Sequence, residues 1–79
     1  MNFDWDSKKA ASNIRKHGVT FEEAVTVFAD PFAVIVEDAV YHDRQILIGM
    51  SSKRLLFTVF VEIDDDNVRI ISAARTEVL

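Results

Sequence analysis

The amino-acid sequence predicts an α+β fold with the element order (β)ααββββ, in which two N-terminal helices cover a mainly antiparallel sheet of four or five strands. Two observations predict it. Apolar residues recur at helical spacing as far as Asp30-Pro31, and from Phe32 onwards they form β-branched runs separated by polar turns. With 79 residues the chain is long enough for one domain, which we expect to span residues 1–79.

The first helix is predicted over residues 6–17. Asp6 is a suitable N-cap, and Gly18 suits the left-handed position that follows a helix. We expect the buried stripe of this helix to consist of Ala10, Ala11 and Ile14. The remaining surface is basic, with Lys9, Asn13 and Lys16 on one face and Lys8, Ser12 and Arg15 on the adjoining one.

The second helix begins at Thr20, which forms a predicted capping box with Glu23. Its expected buried stripe is Phe21, Ala24, Val25 and Phe28, and its expected solvent face is Glu22, Glu23 and Thr26. Asp30-Pro31 ends the helix, because a residue before proline is disfavoured in the helical region.

Four strands are predicted over residues 32–36, 44–50, 54–63 and 68–73, with residues 2–5 as a short edge strand before the helices. The third run is apolar at both odd and even positions, which predicts a central strand.

Composition excludes several classes of protein. The chain has no cysteine, so disulfide scaffolds, Cys-ligated zinc and thiol catalysis are excluded. It has no apolar run of about 20 residues and no signal peptide, so we expect a cytoplasmic protein without a membrane partner. Asp64-Asp65-Asp66 lacks the glycine and glutamate of a calcium loop, and Asp38, His42 and Asp43 match no zinc spacing. We therefore expect no metal or cofactor.

The net charge of −4 counts against nucleic-acid binding but conceals a basic segment. No acidic residue occurs from Ser7 to Phe21, and this segment carries Lys8, Lys9, Arg15 and Lys16. These side chains either contact phosphates or form an ordinary solvated face. His17, at the helix end, is either a general base or an exposed capping residue.

Four arginines later in the chain are further candidates. Arg69 and Arg75 have the same parity on the last predicted strand, which would place two guanidinium groups on one face for phosphate recognition. The alternative for Arg69 is an ion pair with Glu62 or with an aspartate of the adjacent turn. Arg44 and Arg54 stand at strand starts, where either role is open.

Several short blocks of the sequence form a distinctive set: Phe3-Asp4-Trp5-Asp6, Lys9, the run from Asn13 to Ala24 (NIRKHGVTFEEA), Val27-Phe28-Ala29-Asp30-Pro31, Asp43-Arg44, Ile48-Gly49-Met50-Ser51 and Arg69-Ile70-Ile71-Ser72-Ala73. Together these blocks resemble the BrnT toxins. They occur in that family's order and extend from Phe3 to about Arg75. The resemblance implies a RelE-like fold and the toxin of a type II toxin–antitoxin pair, which cleaves RNA and inhibits translation. It also implies a BrnA-like antitoxin partner, through which DNA is contacted only indirectly.

The resemblance further implies metal-independent cleavage, in which the RNA 2′-hydroxyl attacks its own phosphate. That reaction needs groups that transfer protons and positive charge over the phosphate. We assign proton transfer to His17 or Lys16 and phosphate stabilisation to Arg44 and Arg69. The expected RNA-binding residues are Lys8, Lys9, Arg15, Arg54 and Arg75.

Two departures from the family pattern count against activity. The last strand reads Ile71-Ser72-Ala73-Ala74-Arg75, which displaces its arginine by one residue, and the family's basic C-terminal helix is missing. A weakened relative that only binds an antitoxin-like partner is therefore the alternative function, and a purely structural domain is the third. Apolar area exposed by the missing helix would favour a homodimer.

Overall fold

The computed structural model describes residues 1–76 and contains two helices and five strands. In chain order the elements are β1 (Asn2–Asp4), α1 (Ser7–His17), α2 (Phe21–Thr26), a 3₁₀ turn (Val27–Ala29), β2 (Val34–Glu37), β3 (Gln45–Met50), β4 (Leu55–Glu62) and β5 (Asn67–Arg75). The predicted α+β class and element order are confirmed. Within the described range, no helix has the length and apolar character needed to cross a membrane.

The five strands form one sheet in the order β1-β5-β4-β3-β2. The strand β1 runs parallel to β5, and every other neighbouring pair is antiparallel. The strand β4 is central, as its apolar pattern predicts. Only one of its faces is covered: Leu56, Thr58 and Phe60 are buried, whereas Leu55 and Phe57 on the other face are 39% and 43% exposed.

The core lies between the covered face of the sheet and the segment from Val19 to Val27. Val19, Phe21, Ala24 and Val27 are fully buried there against Leu47, Leu56, Phe60, Val68, Ile70 and Ala73. Trp5 packs edge-on against Phe21 at a ring separation of 5.7 Å. Gly49 is required where β3 passes beneath the 3₁₀ turn, because a Cβ there would lie 2.7 Å from the Cβ of Ala33.

Both predicted ends of α1 are confirmed. The Asp6 carboxylate accepts hydrogen bonds from the backbone N–H groups of Lys8 and Lys9, at 2.7 and 3.3 Å, and Gly18 ends the helix at φ 67°. The predicted buried stripe is wrong at two of its three positions. Ala10 is partly buried and packs against the core, but Ala11 is exposed and Ile14 is 48% exposed. The buried residue of α1 is Asn13. Asn13 is buried because it contacts the backbone of β5, an arrangement that apolar periodicity does not detect.

The prediction that Glu23 faces solvent is also wrong, because this residue is buried. The Thr20 hydroxyl accepts the predicted capping bond from the Glu23 backbone N–H at 3.1 Å. The carboxylate of Glu23 instead accepts hydrogen bonds from the Ser51 hydroxyl at 2.7 Å and from the Arg54 guanidinium at 3.0 and 3.2 Å. Arg54 also donates to the Gly18 carbonyl at 2.9 Å, so this network ties both helices to the β3–β4 turn.

Burial of Glu23 raises the pKa of its carboxyl, but hydrogen bonds from Arg54 and Ser51 and the positive charge of Arg54 outweigh that effect. The pKa therefore lies below its usual value of 4.5. Because the folded-state pKa is lowered, ionised Glu23 stabilises the fold above the unfolded-state value. That contribution is lost as the pH falls through the folded-state value.

We predict that Glu23→Gln lowers the free energy of unfolding at pH 7 by about 2 kcal/mol, because it removes charged hydrogen bonds from partly buried Arg54. Urea unfolding at pH 7 and pH 3.5 measures this free energy. The difference in free energy of unfolding between the variant and the wild type should be smaller at pH 3.5 than at pH 7. Glu22→Gln, at the exposed neighbouring position, is the control and should change stability little. Equal losses at both pH values would contradict the assigned role of the Glu23 carboxylate.

Candidate functional site

The site is built where β1 stops covering the edge of β5. The strand β1 pairs only with Asn67, Val68 and Arg69, so no strand of residues 1–76 pairs with the second half of β5 on that side. The helix α1 lies there instead. A strand edge presents backbone N–H and C=O groups that need partners, and α1 supplies them through one side chain.

That side chain is Asn13, which is 5% exposed. Its amide nitrogen donates to the carbonyls of Ala73 at 2.8 Å and Val19 at 2.9 Å. Its amide oxygen accepts from the Ala73 backbone N–H at 3.1 Å. Asn13 therefore bonds Ala73 as a neighbouring strand would, and it also fixes the chain leaving the helix at Val19.

A shallow depression of about 230 Å³ lies between α1 and this edge of β5. Its lining includes three basic side chains, two serines, buried Asn13 and one apolar side chain: Lys9, Lys16, His17, Ser12, Ser72, Asn13 and Ile71. Lys9, Ser12, Asn13 and Lys16 line the depression together because their helical spacing places them on one face of α1. Three of the nine functional residues predicted from the sequence, Lys9, Lys16 and His17, therefore line the same depression.

Within residues 1–76 the lining offers donors and positive charge and no carboxylate. Two ammonium groups, two hydroxyls and an imidazole converge where a phosphate can be bound and where a proton can be exchanged. The arrangement therefore suits binding of a phosphodiester with acid–base chemistry beside it.

Lys8 and Arg15 are exposed on the adjoining face of α1 and do not line the depression. They extend the positive surface along the helix, where they can contact neighbouring phosphates of a longer strand.

Arg69 lies two residues before Ile71 on β5, a distance of roughly 7 Å along the strand. It forms a two-point ion pair with Asp4 of β1, with nitrogen–oxygen distances of 3.0 and 3.2 Å. Hydrogen bonding to Asp4 and its negative charge raise the pKa of Arg69 above its usual value. The partner is thus neither Glu62 nor a turn aspartate, because parallel pairing with β1 places Asp4 directly opposite Arg69.

The prediction that Arg69 and Arg75 share a face is wrong. Phe60 pairs with Ile70 and Val59 pairs with Ser72, so Ile71 is an extra residue in a β-bulge. The bulge reverses the alternation: Arg69 is opposite Val61, whereas Arg75 is opposite Leu56 on the helix-covered side.

Arg44 and Arg54 do not line the depression. Arg44 precedes β3, and its guanidinium carbon is 4.2 Å from the centre of the Tyr41 ring, a cation–π contact. Arg54 is held by Glu23 and Gly18, as described above. Exposed Arg75 also does not line the depression.

Neither acidic segment forms a metal cluster. Across residues 1–76 no three His, Cys, Asp or Glu side chains converge as metal ligands. The Asp64 carboxylate accepts hydrogen bonds from the Asp66 backbone N–H at 2.9 Å and from the Asn67 amide, so it closes the turn itself.

Sequence reasoning did not identify Asn13, Ser12, Ser72 and Ile71 as site residues. The available signal was the position of Asn13 between Lys9 and Lys16 on the basic face, together with Gly18 ending the helix. Nothing local in the sequence marks Ser72 and Ile71, because the end of β1 and the bulge bring them to the site.

The family profile described as "Ribonuclease toxin, BrnT, of type II toxin-antitoxin system" matches residues 5–77. The chain belongs to this BrnT family. A comparison with curated proteins gives no match. Membership implies that an antitoxin partner exists for this BrnT protein.

The fold is also that of a solved BrnT. The crystal structure of the Brucella abortus ribonuclease toxin BrnT superposes with a TM-score of 0.81 at 22% sequence identity. The match covers 99% of each chain, so the difference in length expected from a missing C-terminal helix is not found against this relative.

We predict that Asn13→Ala lowers the free energy of unfolding by about 3 kcal/mol, because it leaves buried backbone groups of Val19 and Ala73 unpaired. Chemical denaturation followed by circular dichroism measures the loss. Arg15→Ala, on the exposed side of the same helix, is the control and should change stability by no more than about 0.5 kcal/mol. Similar values for the two variants would show that Asn13 does not hold α1 to β5.

Proposed function

We propose that this BrnT protein is a ribonuclease toxin that acts in the cytoplasm, binding RNA in the α1–β5 depression and inhibiting translation by cleaving it. The observation that supports this proposal is the convergence of Lys9, Lys16 and His17 in one depression, to which no carboxylate of residues 1–76 contributes. RNA is a polyanion whose affinity comes largely from phosphate contacts, so such a surface attracts it despite the net charge of −4.

In the proposed reaction the 2′-hydroxyl of one nucleotide attacks the adjacent phosphorus, and the bond to the 5′-oxygen breaks. His17 accepts the proton from the 2′-hydroxyl, and Lys16 or a bound water returns a proton to the departing 5′-oxygen. Lys9 and Lys16 stabilise the negative charge on the phosphate oxygens. The products are a 2′,3′-cyclic phosphate and a free 5′-hydroxyl, and no metal is required.

Lys8 and Arg15 are proposed to hold the flanking RNA. We expect Arg69 to contact the next phosphate along β5 after its exposed pair with Asp4 opens. That pair is 51% and 60% exposed at its two side chains, and exposed ion pairs are weak. The role of Arg44 in phosphate stabilisation and those of Arg54 and Arg75 in RNA binding remain sequence-based predictions, since these residues do not line the depression.

The alternative is a BrnT protein that binds an antitoxin-like partner without cleaving RNA. The contacts of two of the four predicted catalytic residues favour this binding function. Arg44 lies against the Tyr41 ring, and Arg69 forms an ion pair with Asp4. Cleavage by the pure protein distinguishes the two functions.

We predict that the purified protein cleaves a 5′-labelled RNA in the presence of EDTA and that its induced expression arrests bacterial growth. His17→Ala should slow cleavage by about 100-fold or more, because it removes the proposed proton acceptor. Lys16→Ala should slow it by about tenfold or more. Electrophoresis of the products measures the rates and should show 2′,3′-cyclic phosphate ends.

Lys53→Ala is the control, since Lys53 is an exposed lysine in the β3–β4 turn outside the depression. Circular dichroism should show that all variants fold. Undiminished cleavage by His17→Ala would refute its role, and a folded wild-type protein that neither cleaves RNA nor arrests growth would leave the binding function.

A further inference from the structure

A second concave surface lies on another part of the molecule and takes no part in the proposed RNA site. It consists of two adjoining depressions of about 480 and 210 Å³. The larger is lined by Met1, Phe3, Val25, Thr26, Phe28 and Ala29. The smaller is lined by Met1, Phe28, Ile35, Phe60, Val68, Glu62, Asp64 and Asp65. Because they share Met1 and Phe28, we call them together the apolar groove.

The floor of the apolar groove is a row of three packed aromatic rings. Phe28 stands between the two depressions and packs against Phe3 on one side and Phe60 on the other, at ring separations of 4.9 and 5.1 Å. Phe60 is 2% exposed, so this row of rings is anchored in the core. A preformed apolar surface of this kind binds a ligand without the entropic cost of ordering itself.

The charges around the apolar groove are negative. Glu62, Asp64 and Asp65 line its smaller depression. Glu22 precedes Val25 and Thr26, which line the larger depression, by three and four residues, so it lies on the same side of α2 as they do. Hydrogen bonds from Asp66 and Asn67 lower the pKa of Asp64, so its carboxylate stays ionised at neutral pH.

No lysine or arginine lines either depression within residues 1–76, and the one positive group of the lining residues is the α-amino group of Met1. The acidic ends would repel RNA phosphates. They would attract lysine and arginine side chains of a protein segment whose apolar side chains fill the groove. A helix with apolar residues at i, i+3, i+4 and i+7 presents such a ridge.

We propose that the apolar groove is the docking site for a basic amphipathic helix of the antitoxin partner. The identification of the partner rests on the proposed function, whereas the chemistry of the surface does not. Apolar side chains of the helix would enter the depressions on the two sides of Phe28. Its basic side chains would pair with Glu22 at one end and with Glu62, Asp64 and Asp65 at the other.

The test uses a fluorescent 18-residue helical peptide with leucine and phenylalanine at i, i+3, i+4 and i+7 and lysine or arginine elsewhere. Fluorescence anisotropy with the whole wild-type protein should show saturable one-to-one binding that weakens with added salt. A scrambled peptide of the same composition, and an acidic peptide with glutamate at the basic positions, should each bind at least about tenfold more weakly.

Two variants test the surface, each with a matched control. Ala29→Arg places a bulky cation at the exposed edge of the groove and should weaken peptide binding by about tenfold or more, whereas Ala11→Arg on exposed α1 should not. Asp65→Asn should weaken binding by roughly threefold, and Asp43→Asn in the β2–β3 loop should leave it unchanged. Thermal unfolding establishes that each variant folds.

Unchanged binding by Ala29→Arg, or equal effects of Asp65→Asn and Asp43→Asn, would overturn the proposal. So would a protein that sediments as a dimer, becomes monomeric as Ala29→Arg and does not bind the peptide, because a second copy would then cover the groove. His17→Ala should bind the peptide like wild type. Failure of the docking proposal is therefore distinguishable from failure of the ribonuclease proposal, which RNA cleavage tests.

Discussion

The hydrogen bonds of Asn13 determine where the candidate site is. One amide side chain pairs with both backbone groups of Ala73 and with the Val19 carbonyl, and it thereby fixes α1 against the part of β5 that β1 leaves uncovered. Since Lys9 and Lys16 occupy the same helical face one turn to either side, fixing Asn13 also fixes them beside the sheet. An apolar residue at position 13 would bury comparable surface but would leave the strand edge without partners.

The distribution of charge matters more than its sum. The net charge of −4 is that of a protein unsuited to binding RNA, yet no carboxylate of the described part of the chain lines the α1–β5 depression. Several acidic residues have other positions. Glu23 forms an ion pair with Arg54, and Asp4 forms one with Arg69. Asp64 and Asp65 lie at one end of the apolar groove. A small domain can thus present one surface suited to a polyanion and another suited to a basic protein segment.

Local features were predictable because their causes are local. Asp6, Thr20 and Gly18 satisfy or terminate backbone hydrogen bonds within a turn of their own position, and each behaves as its residue type predicts. The errors occurred where a distant partner overrides a local preference. Glu23 is buried because Arg54 and Ser51 reach it from the β3–β4 turn, and Ile14 is exposed because Asn13 bonds β5. The prediction that Arg69 and Arg75 share a face was wrong because the β-bulge at Ile71 leaves no mark in the alternation of side chains along the sequence.

The sequence by itself determined the α+β class, the order of elements, the helix caps, the central position of β4 and the family. These depend on residue type and spacing along a continuous segment. Only the tertiary structure decided which of the nine candidate residues meet: Lys9, Lys16 and His17 line one depression, whereas Arg44, Arg54 and Arg75 lie elsewhere and Arg69 is paired. That choice depends on the length of β1, the bulge in β5 and one buried amide, which join residues 60 positions apart.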